Sequence, residues 1–416
     1  MRVWCGVLIV TLAASSAAAQ EPARVALGDL LAEALAANPE IAAAEAKAAA
    51  AGERPAQARS LPDPMVSVGY QSSGNPLPGA GLGSVPNANI GVMFSQSLPY
   101  PGKRALASVV ATRDADAAQA GIDAVRLSVA ARVKEAYYRL AYTYAASDVL
   151  TRNQQLLDTL LKVSEAQYAA GRAAQQDVIK AQTELSVIAL RLQTLAGERA
   201  TRESDLDALL DRAPGAPIGR PRDLEFAALD LAADAIPALV DAHAPALARD
   251  ARLVERSAAA VDAARLAFKP DFGVTGGYAF MGSMPAMYEL RFEVAVPLRR
   301  ERRAAAVAEE LHNVDEARRE AGAERQTLIA RANAAYQAAS TSSTLARLYR
   351  DTVLPQARLA YESSLASYQT GGVDFLSVLN SFGTVLEYEM TCAGELASFH
   401  VAVSRLEEAT GATVAQ

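Results

Sequence analysis

The sequence predicts a mainly α-helical fold with a small β part. It would consist of long antiparallel helical hairpins and four short strands. Three observations predict it. The chain is written twice, with the same landmarks in the same order at a nearly constant offset. Each copy holds two short runs that alternate apolar and polar residues, the period of a two-faced strand. Nearly everything else is alanine-rich, with apolar residues three and four apart, as helices packed on helices require.

The duplication is legible residue by residue. Leu61-Pro62-Asp63 leads into M-V-S-V-G-Y ending at Tyr70, and Lys269-Pro270-Asp271 leads into F-G-V-T-G-G-Y ending at Tyr278. These share an offset of 208, since 270 − 62 and 278 − 70 agree. Phe94 and Pro99 match Phe292 and Pro297 at an offset of 198, a difference that a longer first loop absorbs. Y-A-A-G at 168–171 matches Y-Q-T-G at 368–371 at an offset of 200. Residues 21–212 are therefore the first repeat and 237–416 the second. A Pro/Gly-rich linker at 213–236, beginning R-A-P-G-A-P-I-G-R-P-R from Arg212, separates them.

Each repeat follows one plan: helix, strand, loop, strand, very long helix, turn, long helix. In the first, a helix is expected over Leu27–Arg59, with strands at Met65–Gln71 and Asn89–Ser97. The segment between the strands is Gly/Pro-rich and polar, as an exposed loop should be. In the second, the strands are Phe272–Phe280 and Met287–Val296, joined by M-G-S-M-P-A. The long helical runs are Lys103–Ala170 and Arg299–Tyr368. At 1.5 Å per residue each could reach roughly 100 Å. Pro355 should break the second run, because it lacks the N–H a helix interior needs. Gly171, and Gly371 with Gly372, mark the sharp returns. After the first return, Val178, Ala181, Leu185 and Ile188 keep the coiled-coil spacing.

The strands are the informative part. In Y-E-L-R-F-E-V-A-V, Tyr288–Val296, the residues Tyr288, Leu290, Phe292, Val294 and Val296 fall on one side. Glu289, Arg291 and Glu293 fall on the other. Val66, Val68 and Tyr70 share a side, as do Ile90, Val92 and Phe94, and Phe272, Val274, Tyr278 and Phe280. A half-buried sheet in a soluble sandwich would show the same alternation. Against that, the helical residues already pair with one another. Four strands cannot close a barrel alone, and open edges cannot face lipid. A barrel shared between subunits satisfies every constraint, with apolar sides toward lipid and polar sides toward a watery lumen. Glu289, Arg291 and Glu293 would then line the lumen, with Tyr70, Tyr278 and Tyr288 as aromatic girdle. Each strand pair is entered from a helix and left into one. All helices would thus lie on one side of the membrane and both loops on the other.

Bulk properties agree. The 416 residues carry a net charge of −7 with 21% charged, which offers no basic patch for nucleic acid. Mean hydropathy is +0.07, much of it from alanine. Residues 1–20 read as a secretory signal: Arg2, an apolar run Trp4–Ala14, and a small-residue site at Ala17-Ala18-Ala19, with cleavage after Ala19 or Gln20. Removal of Cys5 leaves Cys392 alone, so no intrachain disulfide is expected. No later run is long and apolar enough for a transmembrane helix.

With these landmarks in place, the sequence resembles the TolC-type outer-membrane efflux proteins over nearly all of the mature chain. The resemblance rests on A-L-A-A-N-P-E-I near the start, S-L-P-D-P before the first strand, Q-S-L-P-Y-P-G-K-R after the second, and the two Y-x-x-G turns. The L-P-Y-P-G-K-R stretch is most similar to the heavy-metal, Cus/Czc-like branch. The resemblance implies a homotrimer in the outer membrane, in contact with its lipid. Three protomers of four strands would make a twelve-stranded barrel, continuous with a periplasmic tunnel of helices (an α-barrel). It implies two partners, a periplasmic adaptor of the membrane-fusion type and an inner-membrane pump.

It also implies roles at the two turns, which would form the periplasmic tip and gate. Tyr168 and Gly171 mark the first turn, Tyr368 and Gly371 the second. In the family a tyrosine at the place of Tyr368 bonds an aspartate at the place of Asp177, and both match. Asp177 also suits a helix N-cap or first-turn charge after Gly171. Some members ring the aperture with two acidic residues; here those positions are Ser377 and Asn380, so cation binding at the aperture does not carry over. Asp374, close by, is the candidate substitute.

No cofactor, metal or catalytic set is expected. His243, His312 and His400 lack metal-ligand spacing, and P-G-K-R at 101–104 lacks the glycines of a phosphate loop. Glu309-Glu310 reads as a solvated helix face. The sequence therefore favours a passive export duct over an enzyme. The alternative is a soluble periplasmic coiled-coil adaptor or scaffold, and a stand-alone porin would need many more strands per chain.

Overall fold

The structure is a computed structural model that describes residues 24–74, 76–229 and 231–414. The expected signal at 1–20 lies outside these. Three helices stand where one run was expected over Leu27–Arg59: α1 (Leu27–Ala37), α2 (Pro39–Gly52) and α3 (Arg54–Arg59). The breaks have local causes. Asn38 caps α2 by accepting from Glu40 N at 2.9 Å, with Pro39 in the first turn. Pro55 likewise occupies the first turn of α3.

Strands β1 (Met65–Gln71) and β2 (Asn89–Leu98) follow, then α4 (Lys103–Ala169) and α5 (Gln175–Leu209). Next come α6 (Ile236–His243), α7 (Pro245–Leu266), β3 (Asp271–Phe280), β4 (Met287–Ala295) and α8 (Arg300–Leu348). A π-helical turn at Tyr349–Val353 separates α8 from α9 (Leu354–Gln369), and α10 (Phe375–Thr410) closes the chain. The break falls where Pro355 withdraws its N–H, and the wider π turn takes up the mismatch.

The described residues form two compact units that cut across the sequence repeats. One takes the chain up to Glu33, with Ala136–Phe226 and Thr344–Ala397. Its core is helical. In α4 the buried residues Ala146, Leu150, Asn153, Leu157, Leu160 and Ser164 step by four and three in turn. Ala181, Ile188 and Leu195 of α5 and Phe375, Val378, Phe382 and Leu386 of α10 pack into the same core. Asn153 and Ser164 are the polar exceptions in this series: the Asn153 amide donates to Glu389 Oε2 at 2.8 Å, and Glu389 accepts from Arg358 at 2.5 Å.

The other unit takes Ala34–Glu135, Ala227–Ser343 and the chain from Ser398 onward. Its helical core gathers Ile236, Val240, Leu328, Ala332 and Leu406. It also carries the single four-stranded sheet seen among the described residues, in the order β1-β2-β3-β4. Every pairing is antiparallel.

Candidate functional site

The sheet is built by its register. Val66 opposes Phe94, Val68 opposes Val92, and Tyr70 opposes Ile90. Val92 in turn opposes Tyr278, and Ile90 opposes Phe280. Phe272 opposes Val294, Val274 opposes Phe292, and Tyr278 opposes Tyr288. Since side chains alternate across a strand, these residues share one face. That face is apolar from edge to edge, with Gln96 as its polar exception. It is also uncovered within the chain: Val68 is 72% exposed, Phe292 73% and Tyr288 79%. Isolated exposed apolar residues are ordinary, but a contiguous apolar face of this extent marks an interaction surface.

The opposite face is mostly polar or small, with Met65, Met93 and Met287 as its large apolar exceptions. Ser67, Gly69, Gly91, Ser95, Gly273, Thr275 and Gly277 lie there with Glu289, Arg291 and Glu293. Arg291 pairs with Glu289 and lies 4.0 Å from Glu293. Thr275 directly opposes Arg291, and Gly273 and Gly277 oppose the two glutamates. All three charged residues expected on this face are on it. Both outer strands, β1 and β4, have one unpaired edge.

The two ends of the sheet differ. At one end lie both hairpin loops, 72–88 and 281–286. The loops touch where the Ser283 hydroxyl donates to Gly83 O at 3.2 Å, and Tyr70 donates to Ala80 O at 2.7 Å. The Tyr278 and Tyr288 rings meet at 5.5 Å near this end. At the other end every strand joins a helix. There Lys103 Nζ donates to both oxygens of Asp271, at 2.8 and 2.9 Å, and Tyr100 N donates to Asp271 Oδ1 at 2.8 Å. This clip ties the start of α4 to the start of β3. The sequence alone did not pair Lys103 with Asp271; the repeated Pro-Asp motif was the available signal.

The two Y-x-x-G turns lie in the helical unit. Gly171 has φ +69° and Gly371 φ +78°, and a Cβ at either would meet nothing. Glycine is thus required there by backbone conformation and not by space. Gly171 N donates to Tyr168 O at 2.9 Å and Arg172 N to Gln167 O at 2.8 Å. Gly371 N donates to Tyr368 O at 3.1 Å and Gly372 N to Ser367 O at 2.8 Å. Both are Schellman closures, which satisfy the last carbonyls of a helix.

Their side chains diverge. Tyr168 is 48% exposed, whereas Tyr368 is 9% exposed and packs edge-on against Phe375 at 5.6 Å. The hydrogen bond to Asp177 that the resemblance implied is not formed: the Tyr368 hydroxyl is buried without a partner. Packing against Phe375 sets the ring, and the hydroxyl follows. Burial raises its pKa, and the charge of nearby Asp177 adds to the shift. Asp374 proves to be a cap at the start of α10. It accepts from Ser377 N at 3.0 Å and from the Ser377 hydroxyl, and these bonds hold its carboxyl below the usual range. Asn380 is exposed one turn further on.

Among the described residues no group of three or more His, Cys, Asp or Glu could hold a metal ion. No described helix is long and apolar enough to cross a membrane.

Comparison with known proteins follows this geometry. A family model described as outer membrane efflux protein matches residues 30–212 and 236–412. No curated protein matches in sequence. Several solved structures share the fold. CusC, whose structures concern transmembrane channel formation, superposes with a TM-score of 0.78 at 17% identity, covering 94% of this chain and 93% of its own. The outer membrane protein VceC of Vibrio cholerae gives 0.77 at 19%, covering 93% and 96%. The MtrE outer membrane channel of Neisseria gonorrhoeae, in its open state, gives 0.73 at 18%, covering 93% and 89%.

Proposed function

Because the chain belongs to the outer membrane efflux protein family, we propose that it is the exit duct of a tripartite efflux or secretion system. Three copies close their sheets, β4 of one against β1 of the next, into a shared twelve-stranded barrel. The apolar face meets outer-membrane lipid, and Glu289, Arg291 and Glu293 line the lumen. The helical hairpins continue as a periplasmic tunnel, and the turns at Gly171 and Gly371 form its tip, where a periplasmic adaptor and an inner-membrane pump deliver substrate. The duct is passive, with no catalytic group. A pump of the resistance-nodulation-division type, carrying heavy-metal ions, is the reading that the L-P-Y-P-G-K-R stretch supports.

One observation carries this proposal. A sheet with one uncovered apolar face, one charged face and two unpaired edges is incomplete as a monomer in water. Soluble scaffolds of helices have no use for such a sheet. The test is membrane fractionation of the expressed full chain, then native mass in detergent. Outer-membrane trimers support the duct; a soluble periplasmic monomer overturns it in favour of a coiled-coil scaffold.

A further inference from the structure

We infer that the helix-side end of the sheet carries a cationic collar, centred on Arg299, Arg300 and Arg302, that binds the phosphates of anionic phospholipid headgroups. The inference rests on the proposal that the apolar sheet face meets lipid, and it adds the lipid class and the depth at which the chain sits.

Charge is distributed unequally between the two ends of the sheet. The loops at 72–88 and 281–286 contain no charged residue at all. The junction segments 59–64, 98–104, 265–271 and 296–304 hold nine Lys and Arg against three carboxylates. Some of these cations are used internally. Lys103 is paired with Asp271, Arg265 with Asp262, and Arg303 donates to Ala267 O at 2.9 Å. The side chains of Arg299, Arg300 and Arg302 are exposed and have no hydrogen bond or ion pair among the described residues.

Helix stability does not explain them. They stand at the start of α8, the end whose partial positive charge disfavours cations. Their position relative to the apolar face does. The series Leu290, Phe292, Val294 continues beyond β4 as Val296, 61% exposed, and Leu298, 83% exposed, and then meets Arg299 and Arg300 directly. An apolar band ending in free guanidinium groups is the arrangement that places hydrocarbon beside the strands and phosphate beside the arginines. Guanidinium binds phosphate in a two-pronged geometry that an ammonium cannot reproduce.

The test uses the full-length assembled protein extracted in mild detergent. It is offered phosphatidylglycerol and phosphatidylcholine of matched chains, and bound lipid is read by native mass spectrometry. Preferential retention of phosphatidylglycerol is expected, falling as salt is raised from about 0.05 to 0.5 M because the contacts are exposed. R299Q/R300Q/R302Q should lower that preference about tenfold or more. Removal of three charges further along the helix, R318Q/R319Q/R331Q, should not, since Arg318 lies about 27 Å beyond Arg300. Equal retention of both lipids by the wild-type trimer overturns the collar while leaving the duct intact, as does a triple variant that keeps the preference. If the triple variant fails to assemble, the salt dependence of the wild type decides: a preference for phosphatidylglycerol indifferent to salt overturns the collar. A chain that never reaches the membrane overturns the duct reading and the collar with it.

Discussion

Two neighbouring residues of β1 allow the orientation of the sheet to be tested with a pair of arginine substitutions. Val68 is the central residue of β1, is 72% exposed, and opposes Val92. Ser67 precedes it, is also exposed, and opposes Met93 on the other face. In water, an arginine at either exposed site should change stability by about 0.5 kcal/mol or less. In a barrel the two diverge. Val68→Arg puts a charge near the bilayer midplane, at a cost of about 2–4 kcal/mol, or roughly 30- to 700-fold in the folding equilibrium. Ser67→Arg faces the lumen, where water remains available, and should cost close to nothing. The assay is urea titration of protein folded into lipid vesicles, with the folded fraction read from electrophoretic mobility without boiling. Delivery of each variant to the outer membrane serves as the cellular counterpart. Equal effects of the two variants would refute the assignment of faces, and a larger cost for Ser67→Arg would invert it.

Four further outcomes follow from the helical unit. Gly171→Ala should destabilise by about 1 kcal/mol through its left-handed backbone, whereas Gly197→Ala, in the exposed interior of α5, should stabilise by about 0.5–1 kcal/mol; thermal unfolding followed by helical circular dichroism distinguishes the signs. Tyr368→Phe removes a buried hydroxyl that has no partner, so stability should hold or rise by up to about 1 kcal/mol. Conductance of Tyr368→Phe with Asp177→Ala in planar bilayers should match wild type, and an increase would restore the Tyr368–Asp177 latch. Asp374 has a lowered folded pKa, so its contribution is present above the unfolded carboxyl value and is lost as pH falls through the folded one. Ser377→Ala should shift that loss to higher pH, which amide hydrogen exchange at the start of α10 would register.

Backbone features were legible in the sequence to within a residue or two, because each rests on a local rule. Period-two alternation gave the strands their bounds and faces, and Gly171 and Gly371 gave the turns. Pro355 gave the break after α8. The first helix was less legible: Asn38-Pro39 and Pro55 are start signals that an unbroken alanine pattern masked. Side-chain partners were the hardest to read. Tyr168 and Tyr368 occupy the same place in two turns closed by the same pair of backbone bonds, yet one is 48% exposed and the other 9%. The repeat fixes φ and ψ at the turn but not what packs against it, which here is Phe375. The Tyr368–Asp177 bond that the family resemblance implied therefore fails where the backbone inference succeeds. Asp374 shows the converse. Read as a candidate aperture charge, it is held instead by the local geometry of a helix start, which its spacing to Ser377 had already encoded.

The proposed trimer can be argued from the sheet as well as from resemblance. Four strands with two free edges can close only in multiples of four. Two copies would give eight strands, a size at which interior side chains fill the barrel. The interior would then have to accommodate Glu289, Arg291 and Glu293 from each copy, and buried charges on that scale are costly unless every one is paired. Within one chain Arg291 serves both glutamates, which leaves a surplus negative charge per copy that needs water. Glycine and serine at positions 67, 69, 91, 95, 273 and 277 keep much of this face small, with Met65, Met93 and Met287 as its large side chains. A charged, glycine-rich interior suits a wet lumen, and in the proposed barrel three copies would be the smallest closed assembly wide enough to hold one.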